Sequence, residues 1–119
     1  MIRVEYRAAE AHAGAIQKLA ELETLIGRLP DLSDETRADL ASRVTAVQAS
    51  LETEHCADRE QRHQMSHDLR TPLNAIAGWT HILRLDATSG TVLRAAEVFE
   101  RNVRILTRLI DTYTDDASR

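Results

Sequence analysis

The sequence predicts an all-α fold, a helical hairpin pairing with a second copy into a homodimeric four-helix bundle, preceded by a coiled-coil or helical extension. Three observations carry this expectation. Apolar residues recur at alternating steps of three and four in several stretches, the spacing that puts them on one helix face. Helix breakers are scarce, with 4 Gly and 2 Pro in 119 residues. Aromatics are 3%, thin for a mixed globular core but ordinary for a bundle filled by Leu, Ile, Val and Ala. A lone hairpin cannot cover two broad apolar faces, so two copies are expected to bury them together.

Residues 2–29 place Ala8, His12, Ala15, Leu19, Leu22, Ile26 and Leu29 on one seam, widened by Ile16 and Leu25, and Gly27 and Pro30 bring that helix to an end. Two readings stay open for it, a signalling helix or sensor tail and a packing helix with no other duty. Pro30 to Glu35 forms a break. Ser33 or Asp31 is expected to cap the next helix, with Asp34 and Glu35 suited to the positive end of its dipole. Leu40, Val44, Val47 and Leu51 continue a seam, and Glu52 to Gln64 is mostly charged and polar without a Gly or Pro. One helix is therefore expected from about Ser33 to about Leu85, bent near Pro72. At 1.5 Å per residue it would span roughly 75–80 Å and require a dimeric coiled coil along its length. The polar neck is either a solvated face or a weak seam that transmits rotation.

Leu69, Pro72, Ile76, Trp79 and Leu83 set the next seam, which leaves His67 off it and facing outward. Asp86 to Gly90 is a turn, with Thr88 or Ser89 as the cap of a last helix from about Thr91 to Asp115. That helix has the cleanest seam of the chain, at Val92, Ala96, Phe99, Val103, Leu106, Ile110 and Tyr113. The expected division is thus 1–32 as helix and break, 33–64 as a signalling helix continuous with the next segment, and 65–119 as the hairpin.

Composition narrows the function. A net charge of −4 and no basic stripe argue against nucleic-acid binding. The single Cys56 cannot form an intramolecular disulfide and fits a reducing cytoplasm. No run approaches the ~20 apolar residues of a membrane span, so a cytoplasmic location is expected, with a longer parent open to anchoring. His63 and His67 are spaced i, i+4, but Gln64 stands where a metalloprotease helix needs Glu and no third ligand is suitably spaced. No metal site is expected, and the histidines other than His67 read as ordinary solvated or packing residues.

The chemistry lies in Met65-Ser66-His67-Asp68-Leu69-Arg70-Thr71-Pro72-Leu73-Asn74-Ala75-Ile76. An imidazole nitrogen lone pair can act as a nucleophile, and an acid at the next position, Asp68, can take the Nδ1 proton and orient the ring. Pro72 lacks an N–H and crowds the carbonyl of Asp68, so a kink or loosened turn is expected beside His67.

This stretch resembles the H-box of sensor histidine kinases, and Ala77-Gly78-Trp79-Thr80-His81-Ile82-Leu83-Arg84 resembles the continuation in one large branch of them. Glu100-Arg101-Asn102-Val103 and Arg108-Leu109-Ile110-Asp111 are similar to the second helix of the same domain, whereas Thr112-Tyr113-Thr114 stands where the family usually has Asp-Leu-Leu. The resemblance covers roughly Arg59 to Arg119. It implies the dimerisation and phosphoacceptor part of a two-component kinase. His67 would be the phosphoacceptor and Asp68 the general base. Thr71 would position water for phosphatase action, and Asn74 would contact phosphoryl or nucleotide oxygens. The implied partners are a second copy, the ATP-binding catalytic domain of the same kinase and a response-regulator receiver whose aspartate takes the phosphoryl group. The chain carries no cofactor of its own in this reading. ATP and Mg²⁺ belong to the catalytic domain, whose Gly-rich motifs do not follow in this sequence, so the chain is expected to be a transferase fragment that does not label itself. Two alternatives remain: a stand-alone phosphotransfer or kinase-binding bundle, and a purely structural dimerisation module with an inert His67.

Overall fold

The computed structural model describes residues 2–53 and 59–115. They form four helices, α1 (Ile2–Arg28), α2 (Asp34–Thr53), α3 (Arg59–Leu85) and α4 (Gly90–Asp115), with no strand among the described residues. The all-α class and the four-helix bundle agree with the sequence, and all four helices come from one chain. Consecutive helices run antiparallel. His12 meets Leu51 and Ile26 meets Arg37 across α1 and α2, Asp39 meets Trp79 across α2 and α3, and Arg84 meets Glu100 across α3 and α4. Packing also joins α4 back to α1, so the helices form a closed ring, with α1 opposite α3 and α2 opposite α4.

The single helix expected from Ser33 to Leu85 is not what forms. Its two halves lie side by side, with the Trp79 Nε1–H donating to Asp39 Oδ2 at 3.0 Å, and the whole molecule is 49 Å long. The reason lies in the polar neck: a helix continued through it would have no apolar face to bury. Folding back lets Leu40, Val44, Val47 and Leu51 bury against the same chain, each to 1% exposure or less. Cys56 and the centre of the neck lie outside the described residues.

Local chemistry explains the ends. Asp31 adopts φ 55°, a left-handed conformation that Asp tolerates better than most residues. Ser33 is the cap of α2, its Oγ accepting from the Thr36 N–H at 3.1 Å. The Arg37 guanidinium donates to the carbonyl of Ile26 in the last turn of α1 and to those of Leu29 (3.1 Å) and Leu32 (3.4 Å) in the connection, so the next helix supplies donors where α1 ends. At the other turn Ser89, rather than Thr88, caps α4, accepting from the Val92 N–H at 3.3 Å. Helix α3 runs on through Pro72, where the missing N–H leaves the Asp68 carbonyl without its main-chain donor.

The core follows the seams. Ala15, Leu19, Leu22 and Ile26 of α1 and Ala96, Phe99, Val103, Leu106, Ile110 and Tyr113 of α4 are buried. Helix α3 buries a broader stripe than its strict seam: Met65 and Leu73 join Leu69 and Ile76, while Pro72, Trp79 and Leu83 sit at the rim. A helix touching two neighbours needs a wider apolar face than a two-stranded seam provides. Thr80, also buried, satisfies its hydroxyl by donating to the Ala77 carbonyl at 2.6 Å.

Trp79, Asp39 and Arg43 make a polar latch between α2 and α3. Arg43 Nε donates to Asp39 Oδ2 at 3.0 Å, and this bond, with the Trp79 indole second, holds the Asp39 carboxyl below its ordinary value of 3.8. A lowered folded-state pKa stabilises the fold above the ordinary carboxylate range, and that contribution is lost as pH falls through the lowered value. Trp79→Phe is expected to move the Asp39 pKa up toward the ordinary value, with Arg43→Gln moving it further. Carboxyl titration by NMR checks this, and an unmoved Asp39 in both variants would contradict the latch.

Candidate functional site

Helix α3 sets the direction of His67 through its neighbours. Met65 and Leu69 stand two residues to either side and are both 2% exposed, so they anchor the inward face and His67 points to solvent. Asp68, Thr71 and Asn74 are exposed as well. His67, Thr71 and Asn74 follow one another at steps of four and three along one side of the helix. The Asp68 carboxylate accepts from Gln64 Nε2 at 3.1 Å, one turn earlier, so the acid beside the histidine is held by an amide for which the sequence suggests no such role. An i, i+4 Gln–Asp pair is visible in the sequence as spacing, but so are many exposed pairs that never bond.

Beside this row a groove of about 310 Å³ runs between α3 and α4, lined in part by Ser66, Arg70 and Asn74 from one helix and Thr107 and Asp111 from the other. Asn74 faces it, whereas His67, Asp68 and Thr71 are not in its lining. A second hollow of about 320 Å³ shares Ala77 and Thr107 with the first and adds Glu100, Arg104 and Arg108. Glu100 ties this face together, accepting from Arg84 at 3.1 Å across the hairpin and pairing with Arg104 at 3.3 Å on its own helix. Arg70 belongs to the motif without a role of its own in the sequence. Its proximity to Asp111 follows only from the hairpin register.

Among the described residues no three His, Cys, Asp or Glu side chains gather as a metal site, and no helix is long and apolar enough to cross a membrane.

An all-helical bundle that holds a solvent-facing histidine beside an acid, on a helix carrying the Leu-Arg-Thr-Pro-Leu-Asn run, defines a phosphoacceptor domain of the histidine-kinase type. Residues 57–119, more than half of the chain, match the His Kinase A (phospho-acceptor) domain family, and the chain belongs to that family. Domains of this family dimerise and act within histidine kinases in signal transduction. No curated protein and no solved structure shows a significant match to the chain.

Proposed function

We propose that this chain is the phosphoacceptor and dimerisation portion of a two-component sensor histidine kinase, with His67 as the acceptor. The observation that carries the reading is the solvent-facing His67 inside the family's motif. The imidazole Nε2 lone pair attacks the γ-phosphorus of ATP held by a separate catalytic domain. The N–P bond forms as the bond to the β-phosphate oxygen breaks and ADP leaves, while Asp68 takes up the Nδ1 proton. Transfer then exchanges the N–P bond for an O–P bond on a receiver aspartate. Mg²⁺ and ATP enter with those partners. Thr71, on the same side one turn along, orients water against the receiver's phosphoaspartate in the reverse reaction. Asn74, at the edge of the α3–α4 groove, contacts phosphoryl or nucleotide oxygens.

The test mixes the chain with ATP, Mg²⁺ and a catalytic domain from a related kinase and follows intact mass. An acid-labile, base-stable phosphate on the wild type and none on His67→Gln is the expected result. Label that persists on His67→Gln would place the acceptor elsewhere. A second reading, a stand-alone phosphotransfer bundle, is favoured by the four helices being contained in one chain. In that case label would arrive from a phosphorylated receiver and not from an ATP-binding domain.

A further inference from the structure

The inner faces of α3 and α4 are already covered. Met65, Leu69, Leu73 and Ile76 of α3, with Phe99, Val103, Leu106 and Ile110 of α4, are at most 8% exposed, and the other half of that core is α1 and α2. The arrangement of the cover is specific. Helix α1 lies beside α4 and opposite α3, and α2 lies beside α3 and opposite α4. Helix α1 also runs antiparallel to α4, because the residues that meet climb on one as they fall on the other. The His12 ring lies tilted against Tyr113 with centroids 4.9 Å apart, a Cβ on Gly14 would meet Leu109 Cδ2 at 3.3 Å, and Lys18 Nζ donates to Asn102 Oδ1 at 2.9 Å.

Two α3–α4 hairpins related by a two-fold axis along the bundle would make this same pattern. The second copy's α3 would lie beside α4 and antiparallel to it, and its α4 beside α3. Helix α1 therefore stands where the second copy's α3 would stand, and α2 where its α4 would. One pair of apolar faces cannot hold both occupants.

We propose that the α1–α2 hairpin is an intramolecular stand-in for the second phosphoacceptor hairpin. The closed chain is a monomer, and self-pairing through α3–α4 begins only when α1–α2 leaves. The phosphoacceptor reading enters here only in naming the second occupant as another copy of the hairpin. The tether favours the closed form: a short connection gives an effective concentration on the order of mM, so a copy at about 10 µM competes at roughly a 100-fold disadvantage. The ring contact and the Lys18–Asn102 hydrogen bond of α1–α4, the close approach at Gly14, and the Trp79–Asp39 bond between α2 and α3 fix this pairing in one register. The consequence is regulatory. Whatever draws α1–α2 away uncovers a dimerisation face and leaves His67 on the outer side throughout.

Two measurements on the full chain decide it. In the first, Gly14→Cys and Leu109→Cys are combined, with Cys56→Ser to remove the competing thiol, and solution mass is measured before and after mild oxidation. The expected result is the mass of one chain and an intrachain disulfide. An interchain disulfide in a dimer would mean that α1–α2 is exchanged between copies. A dimer without a disulfide would mean that hairpins pair with α1–α2 displaced. A monomer without a disulfide would mean that α1 does not lie on α4. Each of these three overturns the closed form. In the second, Leu22→Arg drives a charge into the covered seam. The expected result is a doubling of mass with helicity retained. A folded monomer, or loss of helix at every concentration, would show that a second copy cannot replace α1–α2. Neither measurement involves phosphoryl chemistry, so its failure leaves the His67 reading to stand or fall on labelling alone.

Discussion

His67→Gln is expected to take no phosphoryl label, and Asp68→Asn to take it on the order of 10²–10⁴-fold more slowly, the usual worth of a positioned general base. Both positions are exposed, so neither change should alter helix content or melting temperature by more than a small amount. The two variants ask different questions. Gln cannot form a phosphoramidate of the required kind, so His67→Gln tests the identity of the nucleophile. Asn keeps the size of Asp68 and its capacity to accept from Gln64, but it cannot take a proton. If Asp68→Asn labels at the wild-type rate, the acid is only an anchor for Gln64. Gln64→Ala completes the comparison: it removes the 3.1 Å bond, leaves the carboxylate, and is expected to preserve labelling within about threefold, less than 1.4 kcal/mol of barrier. Thr71→Ala is expected to spare labelling of His67 and to slow only the loss of phosphate from a receiver aspartate, measured in a separate reaction.

Phe99→Ala is expected to lower stability by about 3–5 kcal/mol, through loss of transfer free energy and the cavity left behind. Phe99 is 0% exposed and heads the fully buried side chains of the core. Against a total of about 5–15 kcal/mol, that loss is a large fraction of what holds the bundle together. It corresponds to a drop in melting temperature on the order of 10–20 °C for a domain of this size. Thermal unfolding followed by circular dichroism reads it directly. Leu85→Ala supplies the contrast, since Leu85 is 71% exposed and the change should stay within about 0.5 kcal/mol of wild type. A small effect at Phe99 would mean that α4 does not face the interior as described. In a closed chain the melting temperatures of wild type and Phe99→Ala are both independent of protein concentration, whereas a core shared between two copies would make both rise with concentration.

Much of the fold was legible in residue spacing. The apolar steps of three and four identified α1, α4 and the flanks of α3, and Ser33 and Ser89 were each one of two candidate caps, both realised by hydroxyl acceptance. The outward direction of His67 was legible too, because it falls off the seam of Leu69, Ile76 and Leu83, and the burial of Met65 and Leu69 on either side agrees. The reversal between α2 and α3 was not. A polar stretch without Gly or Pro is compatible with a continuing helix, and spacing carries no information on whether the chain turns back. The bond from Gln64 to Asp68 and the grouping of Arg70 with Asp111 were equally invisible, since each depends on a rotamer or on the register between two helices.

The sequence by itself determined that the chain is helical, which face of each helix seeks cover, and that His67 stands outside those faces within a phosphoacceptor motif. Those properties are local, set by side chains within a turn or two of one another. Only the tertiary structure decided what covers the faces. Apolar seams of Leu, Val and Ile carry little directional information, so spacing does not specify that the seam of α3–α4 is covered by its own chain's α1–α2. The choice rests on directional contacts between residues far apart in the sequence, such as Trp79 with Asp39 and Lys18 with Asn102, and on the close approach at Gly14 that lets α1 settle against α4.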